Sequence, residues 1–342
     1  MRVRDVEVPP EVSGDTLKAF LRLYQLETWI REMVYLELKS YYGMDWLSEA
    51  ENALARARVN VRMADRSAAR DRKHQHISTP ETDPWYVSFD SLLKIIYDRR
   101  MWKLFASYFT TKTVFRVRLE EVFPIRNRVA HCRTLHAYDL DRLTQFLRDF
   151  DQGFWRFCAT YGDKYVFVDR LSKNSVFEHF ATVRDPNLDI TYSARPYTGN
   201  RAPRRELGPG FNYDVTITTQ HWGRYFEYEG ILKATRSWHR YVLHIMLDSF
   251  QHTLRVTFPG TLDSTTVIEA IERFVRVAHN AYSVVPLVPV TERADQKEPF
   301  AKAEMRNRPF ELIAVGWPHH VVPPSHPFTF INSGCPCSFF GV

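Results

Sequence analysis

Apolar residues in the first half of the chain recur at helical spacing. Leu17, Phe20, Leu21, Tyr24, Trp29, Ile30, Met33, Val34 and Leu38 predict a helix over residues 13–47, with Ser13 or Asp15 as its cap and Gly43 as its stop. Residues 48–74, rich in Ala and Arg, predict a second helix, and the run HISTPETDP at 76–84 predicts a loop. Two helical segments follow over roughly 88–98 and 99–110, with Leu92, Leu93, Ile95, Ile96, Trp102, Leu104 and Phe105 as core candidates. Val114, Val117, Leu119, Val122, Phe123 and Ile125 predict a helix over 113–131, which Pro124 should kink or restart. A last helix runs from about Asp139 to Tyr161 on Leu140, Leu143, Phe146, Leu147, Phe150, Phe154 and Phe157.

Past residue 163 the period changes. Residues 183–212 hold four prolines and four arginines between 195 and 205, and read mostly as loop. Period-two alternation in 212–220, 240–250 and 251–260 predicts strands, the last two as an antiparallel pair. Asp263 or Ser264 then caps a helix to about Tyr282, with Val267, Ile268, Ile271, Phe274 and Val275 on one face, and short strands are expected at 284–290 and 310–315. The expected fold class is an all-α helical bundle over 1–163 followed by an α+β domain with antiparallel strands over 164–342.

Composition changes this picture little. Of 342 residues, 44% are hydrophobic and 25% charged, as in an ordinary globular protein. The net charge of +6 favours an anionic partner such as RNA, DNA or a membrane surface, but residues 1–163 carry +3 and the remainder +3, so only a local cluster can mark a binding face. Four cysteines (Cys132, Cys158, Cys335 and Cys337) are too few for a disulfide-stapled secreted fold. With no apolar leader in MRVRDVEVPPEVSGD and no run near 18 apolar residues, a cytoplasmic protein without a membrane partner is expected.

One motif carries chemistry. Residues 125–131 read Ile-Arg-Asn-Arg-Val-Ala-His, where a helical pattern meets the polar turn CRTLHAYD. Arg126 and His131 are five apart, about 140° around an ideal helix, so one straight helix does not aim both the same way. A bare Arg-x4-His is weak evidence by itself, since composition alone yields about one in a chain of this length. Arg-x-x-x-x-His with Asn127 after the arginine, embedded in EVFPIRNRVAHCRTLHAYDLDRL, resembles the signature of the HEPN superfamily of nucleotide-binding and RNase domains. The preceding LETWIREMV, with Glu27 and Arg31, and WYVSFDSLLKIIYDRRMWKLFASYF are similar in order to a branch that contains RNA-surveillance endonucleases. The resemblance covers about residues 14–160; residues 165–342 match no family on their residues.

The resemblance implies an endoribonuclease that needs no metal or other cofactor. It implies a homodimer whose two motifs share a cleft, and products ending in 2′,3′-cyclic phosphate. His131 is then the general acid or base, since imidazole titrates near neutrality. Arg126 is the phosphate ligand and Asn127 a positioning group. It also implies a toxin or phage-defence setting, with an antitoxin or trigger as a candidate ligand of the second domain. Two rivals stay open: a non-catalytic adaptor that dimerises and binds nucleic acid, and a DNA-binding regulator.

Other features are secondary. Arg58, Arg62, Arg66 and Arg70 recur every four residues, with Arg56, Arg72 and Lys73 nearby, and form a ridge that either meets a phosphate backbone or is internally salt-bridged. Arg116, Arg118, Arg128 and Arg133 flank the motif as further RNA contacts, and His136 is an auxiliary donor. RVAH recurs at 276–279 with Phe274 in place of the polar residue, so His279 reads as a surface or groove histidine. His319, His320, His326, Cys335 and Cys337 qualify as zinc ligands by type, but Cys-x-Cys in a proline-rich stretch is not a usual knuckle, and no metal is expected. The aromatics Trp222, Tyr225, Phe226, Tyr228, Trp238 and Tyr241 default to core packing.

Overall fold

The computed structural model describes residues 2–3, 6–7, 13–59, 87–106, 108–109, 111–159, 175–181, 183–196, 211–220, 224–248, 252–284, 319–320 and 328–332. A two-stranded antiparallel ribbon (β1, Arg2–Val3; β2, Val6–Glu7) precedes helix α1, Gly14–Tyr42. Ser13 caps α1 by accepting from the Thr16 amide, and Gly43 ends it at φ 61°. The helical half continues with α2 (Trp46–Arg56), α3 (Phe89–Tyr97), the single turn α4 (Trp102–Phe105), α5 (Lys112–Ala130) and α6 (Asp139–Ala159). Pro124 does not restart α5, which runs through it.

α2 ends earlier than its alanine-rich sequence suggests. Ala57 is its C-cap and Arg58 turns left-handed at φ 55°. The Val59 amide donates to Leu54 and that of Arg58 to Ala55, the paired bonds that close a helix with a left-handed residue. Arg58 therefore lies outside α2, and the helix expected over 48–74 is interrupted there. Arg62, Arg66 and Arg70 lie outside the described residues.

Residues Met33 to Ser40 are all buried, so α1 is enclosed on every side rather than amphipathic. One side packs on α2, α3, α5 and α6, and the other on strands of the second half. Phe20 and Tyr24, two of the apolar positions whose spacing predicts the helix, stand 43% and 46% exposed near its N-terminus.

The second half opens with α7 (Ser175–Phe180) and a six-stranded sheet of order β3-β4-β7-β6-β10-β9. Its strands are β3 (Leu188–Pro196), β4 (Phe211–Thr219), β6 (His244–Asp248), β7 (Thr253–Pro259), β9 (His319–His320) and β10 (Phe328–Asn332). β3 occupies a stretch expected to be loop. β6 and β7 pair antiparallel as expected, while β10 adds to β6 in parallel. A ribbon of β5 (Arg224–Phe226) with β8 (Tyr282–Val284), and helices α8 (Tyr228–Ala234) and α9 (Ser264–Asn280), complete this half. Residues 236–241 form a 3-10 turn where a strand was expected to begin. The expected strand at 310–315 and most of that at 284–290 lie outside the described residues.

The two sheet faces differ in chemistry because successive residues alternate sides. Tyr213, Val215, Ile217, Leu254, Val256 and Phe258 join Val267, Ala270, Ile271 and Phe274 of α9 in one apolar cluster. Asn212, Asp214, Arg255 and Thr257, all buried, lie on the opposite face. α1 meets this polar face. Ser40 donates to Asn212 at 3.0 Å, and Lys39 Nζ donates to the Val242 carbonyl at 2.5 Å and to the Tyr35 hydroxyl at 2.9 Å. Burial pushes the Lys39 amine far below the usual lysine range. At the end of α1, a Cβ on Gly43 would press on the Thr261 side chain, so this glycine serves both its backbone angle and a close approach.

Candidate active site

The Arg-Asn-x-x-x-His motif occupies the last turn of α5. Val122, Ile125 and Val129 are buried on the inner side of the helix, which leaves Asn127 and His131, one turn apart, exposed together on the outer side. Arg126, flanking that ridge, is partly buried and points back towards α1. Its Nη2 lies 3.6 Å from Glu27 Oε2, and its Nη1 makes a long 3.5 Å contact with Asn127 Oδ1. Glu27 is shared, since its other oxygen accepts from the buried Arg31 at 3.0 Å, while Arg31 also donates to the Val87 carbonyl. Arg126 is thus placed by a shared carboxylate in a loose pair, with a third of its side chain in solvent. That pair is weak enough to be exchanged for a phosphate.

His131 is the C-cap of α5, and the backbone reverses immediately after it. Cys132 is left-handed at φ 53°. The Arg133 amide donates to Arg128 and that of Cys132 to Val129. This is the closure seen at Arg58, again without the glycine that such a position favours. The turn 131–138 ends at Tyr138, also left-handed, on the N-terminus of α6.

Asp139 locks that turn. Its side chain is fully buried, and Oδ2 accepts from Arg128 Nε at 2.9 Å and from the His136 amide at 2.9 Å. Arg128 Nη2 adds contacts of 2.7 and 2.6 Å to the two oxygens. A bidentate arginine on a buried carboxylate is a rigid strut. Arg128, expected to contact RNA, is instead committed to holding the motif turn. Arg133 and His136 are exposed on the turn.

Other basic residues are tied as well. Arg56 forms a bidentate bridge to Asp98 at 2.8 and 2.9 Å, and that hydrogen bond holds the Asp98 carboxyl below its usual range. Arg118 lies 3.4 Å from Glu121 and 3.3 Å from Asp149, and Arg116 lies 3.8 Å from Glu120. Arg56, beside the expected ridge, is internally salt-bridged, while Arg116 and Arg118 make only exposed surface pairs.

Asp139 and Glu27 are the residues that motif reasoning left without a role. Asp139 carried a usable signal, an acidic residue at a helix start with an arginine eleven residues upstream at a helix end. Among the described residues there is no cluster of three metal-ligating side chains. The side chains of His319 and His320, and His326, Cys335 and Cys337 altogether, lie outside the description. Among the described residues, no helix is long and apolar enough to cross a membrane. Comparison of the chain with protein-family models, with curated proteins and with solved structures found no match.

Proposed function

We propose that the chain is an endoribonuclease of the HEPN type, acting on RNA through the exposed end of α5. The observation that carries this reading is the grouping of Arg126, Asn127 and His131 at one solvent-facing helix end, on a turn braced from behind by the buried Asp139–Arg128 strut.

The chemistry follows from the substrate. RNA carries its own nucleophile, the 2′-hydroxyl. A general base removes its proton, the O2′–P bond forms and the P–O5′ bond breaks. The leaving 5′-oxygen takes a proton from a general acid, which leaves a 2′,3′-cyclic phosphate and a 5′-hydroxyl. His131 fills one of the two proton-transfer roles. Arg126, released from Glu27, forks onto the non-bridging phosphate oxygens and meets the charge that builds there. Asn127 donates to the phosphate or orients the imidazole. A second copy of the chain supplies the other proton-transfer group from its own motif, so the active species is a homodimer. No metal enters this scheme because the 2′-hydroxyl and two imidazoles complete it.

An RNase of this kind must be restrained in its own cell, which suits a toxin or defence effector in the cytoplasm. The second half then receives the trigger or antitoxin. The test is incubation of the purified chain with tRNA and rRNA in EDTA. Cleavage that is lost in both Arg126→Ala and His131→Ala supports the reading. Cleavage that survives both changes, or salt-dependent binding without any cleavage, overturns it in favour of an unrelated or non-catalytic role.

A further inference from the structure

The exposed aromatic side chains of the helical half gather at its motif end. Phe20, Tyr24 and Tyr138 are 43%, 46% and 72% exposed. Ring contacts of Phe89 with Phe123 and of Tyr97 with Phe115 set α3 antiparallel to α5. α1 runs parallel to α3, since Arg31 meets Val87 just before it and Tyr42 meets Met101 just after it. α1 is therefore antiparallel to α5, and its residues before Glu27, the partner of Arg126, run on towards and past the motif end of that helix. Tyr138 closes the motif turn.

Phe20, Tyr24, Glu27 and Arg31 follow one another at spacings of four, three and four, which puts them on one stripe of α1. Arg31 is buried, Glu27 is half-buried, and Tyr24 and Phe20 are exposed, so the stripe emerges from the core where it passes the end of α5. Tyr24 thus stands one turn from the carboxylate that places Arg126, and Phe20 one turn further. Their rings stack with centroids 6.4 Å apart and an interplanar angle of 25°.

The groups beside the stripe suit a polyanion. His131, Arg133 and His136 are exposed on the adjoining turn. Glu27 keeps Arg31, at 3.0 Å, as its counter-charge when Arg126 turns to a phosphate. The centre of a protein contact is depleted of charge, whereas a single nucleic-acid strand is held by cations along its backbone and by aromatic rings under its bases.

We propose that Phe20 and Tyr24 form a stacking platform for the RNA base next to the phosphate that Arg126 holds. A paired base keeps its faces inside the duplex stack, so the platform selects RNA that is unpaired at the cut. The inference rests on the ribonuclease reading of the α5 motif.

The test is fluorescence anisotropy of the full chain with a short single-stranded RNA carrying 2′-O-methyl groups throughout, and with the same strand annealed to its complement. Cleavage of the unmethylated strand is measured beside it. Tyr24→Ala should weaken binding of the single strand about fivefold or more, Tyr24→Phe should stay within about twofold of the native chain, and the duplex should bind about tenfold more weakly than the strand. Melting temperature and mass in solution should not change. The platform is overturned if Phe20→Ala with Tyr24→Ala leaves binding as it was, or if the duplex binds as tightly as the strand. It is also overturned if that double variant loses the dimer, which would make the pair a contact between two copies. A chain that cuts RNA and gives one of these results loses the platform alone. A chain that binds the strand through the pair but cuts no RNA keeps the platform as a binding site and loses the ribonuclease reading.

Discussion

Replacing Asp139 by Ala removes the acceptor of three described donor groups at once: Arg128 Nε, Arg128 Nη2 and the His136 amide. The carboxylate is fully buried, whereas Arg128 keeps 17% of its side chain exposed. Breaking a buried pair by removing one partner costs about 3–5 kcal/mol, because the other charge is left uncompensated. Partial rehydration of Arg128 places this case near the lower end, at about 3 kcal/mol. Urea unfolding followed by circular dichroism reads the loss. Asp139→Asn, which keeps an acceptor for the His136 amide, should lose about half as much. Arg128→Met should lose at least as much as Asp139→Ala, since it leaves the fully buried Asp139 carboxylate with the His136 amide as its one described donor and no counter-charge. The double variant should be no less stable than Asp139→Ala alone, which is strong positive coupling in the cycle. A loss under about 1 kcal/mol for Asp139→Ala, or strictly additive effects, would refute the idea that this strut holds the motif turn.

His239 gives a pH signature. Burial first, then the charges of Arg236 and Lys39, push its pKa down to about 4, so in the fold it is neutral where the unfolded chain, with a histidine pKa of about 6.5, is protonated. The unfolded state then binds more protons between those values, so stability is full above about pH 6.5 and falls towards pH 4, by at most about 3 kcal/mol. His239→Gln should flatten that part of the stability–pH curve, and an unchanged slope would contradict the assignment. Gly43→Ala should lower stability by about 2–3 kcal/mol, since it combines a strained backbone angle with a collision at Thr261; denaturation at an unshifted midpoint would count against the packing of α1 on the β7–α9 loop. Cys132→Gly should raise stability by about 0.5–1 kcal/mol by relieving the left-handed residue after His131, and a fall in the melting temperature would show that the thiol side chain matters more than the backbone.

Elements with one buried face were readable along the chain. The Ser13, Asp263 and Gly43 boundaries, and the β6–β7 pairing, follow from local capping and alternation that no distant contact overrides. α1 broke the pattern because it is covered on two sides. An enclosed helix has no polar stripe, so nothing in the spacing of Lys39 and Glu37 marks them as interior residues, although Glu37 accepts from Tyr108 in the interior. β3 was hidden by neighbouring prolines, although LDITYSA alternates as a strand should. At the candidate site, Arg126, Asn127 and His131 were legible as a motif. The strut from Arg128 to Asp139 was not, because a surface arginine and a structural one have the same letter. His279 reads in the sequence as a surface or groove histidine of an incomplete repeat, and its pairing with Asp185, 94 residues away, leaves no mark there.

The account rests on the use of RNA's own hydroxyl as nucleophile by the α5 motif. Mapping the product ends of a cleaved tRNA or rRNA substrate tests this most directly, with a matched substrate carrying 2′-O-methyl groups throughout. The account predicts 2′,3′-cyclic phosphate and 5′-hydroxyl ends, formed in EDTA, absent from the methylated substrate and from Arg126→Ala and His131→Ala. Products with 5′-phosphate ends, or cleavage of the methylated substrate, would contradict it.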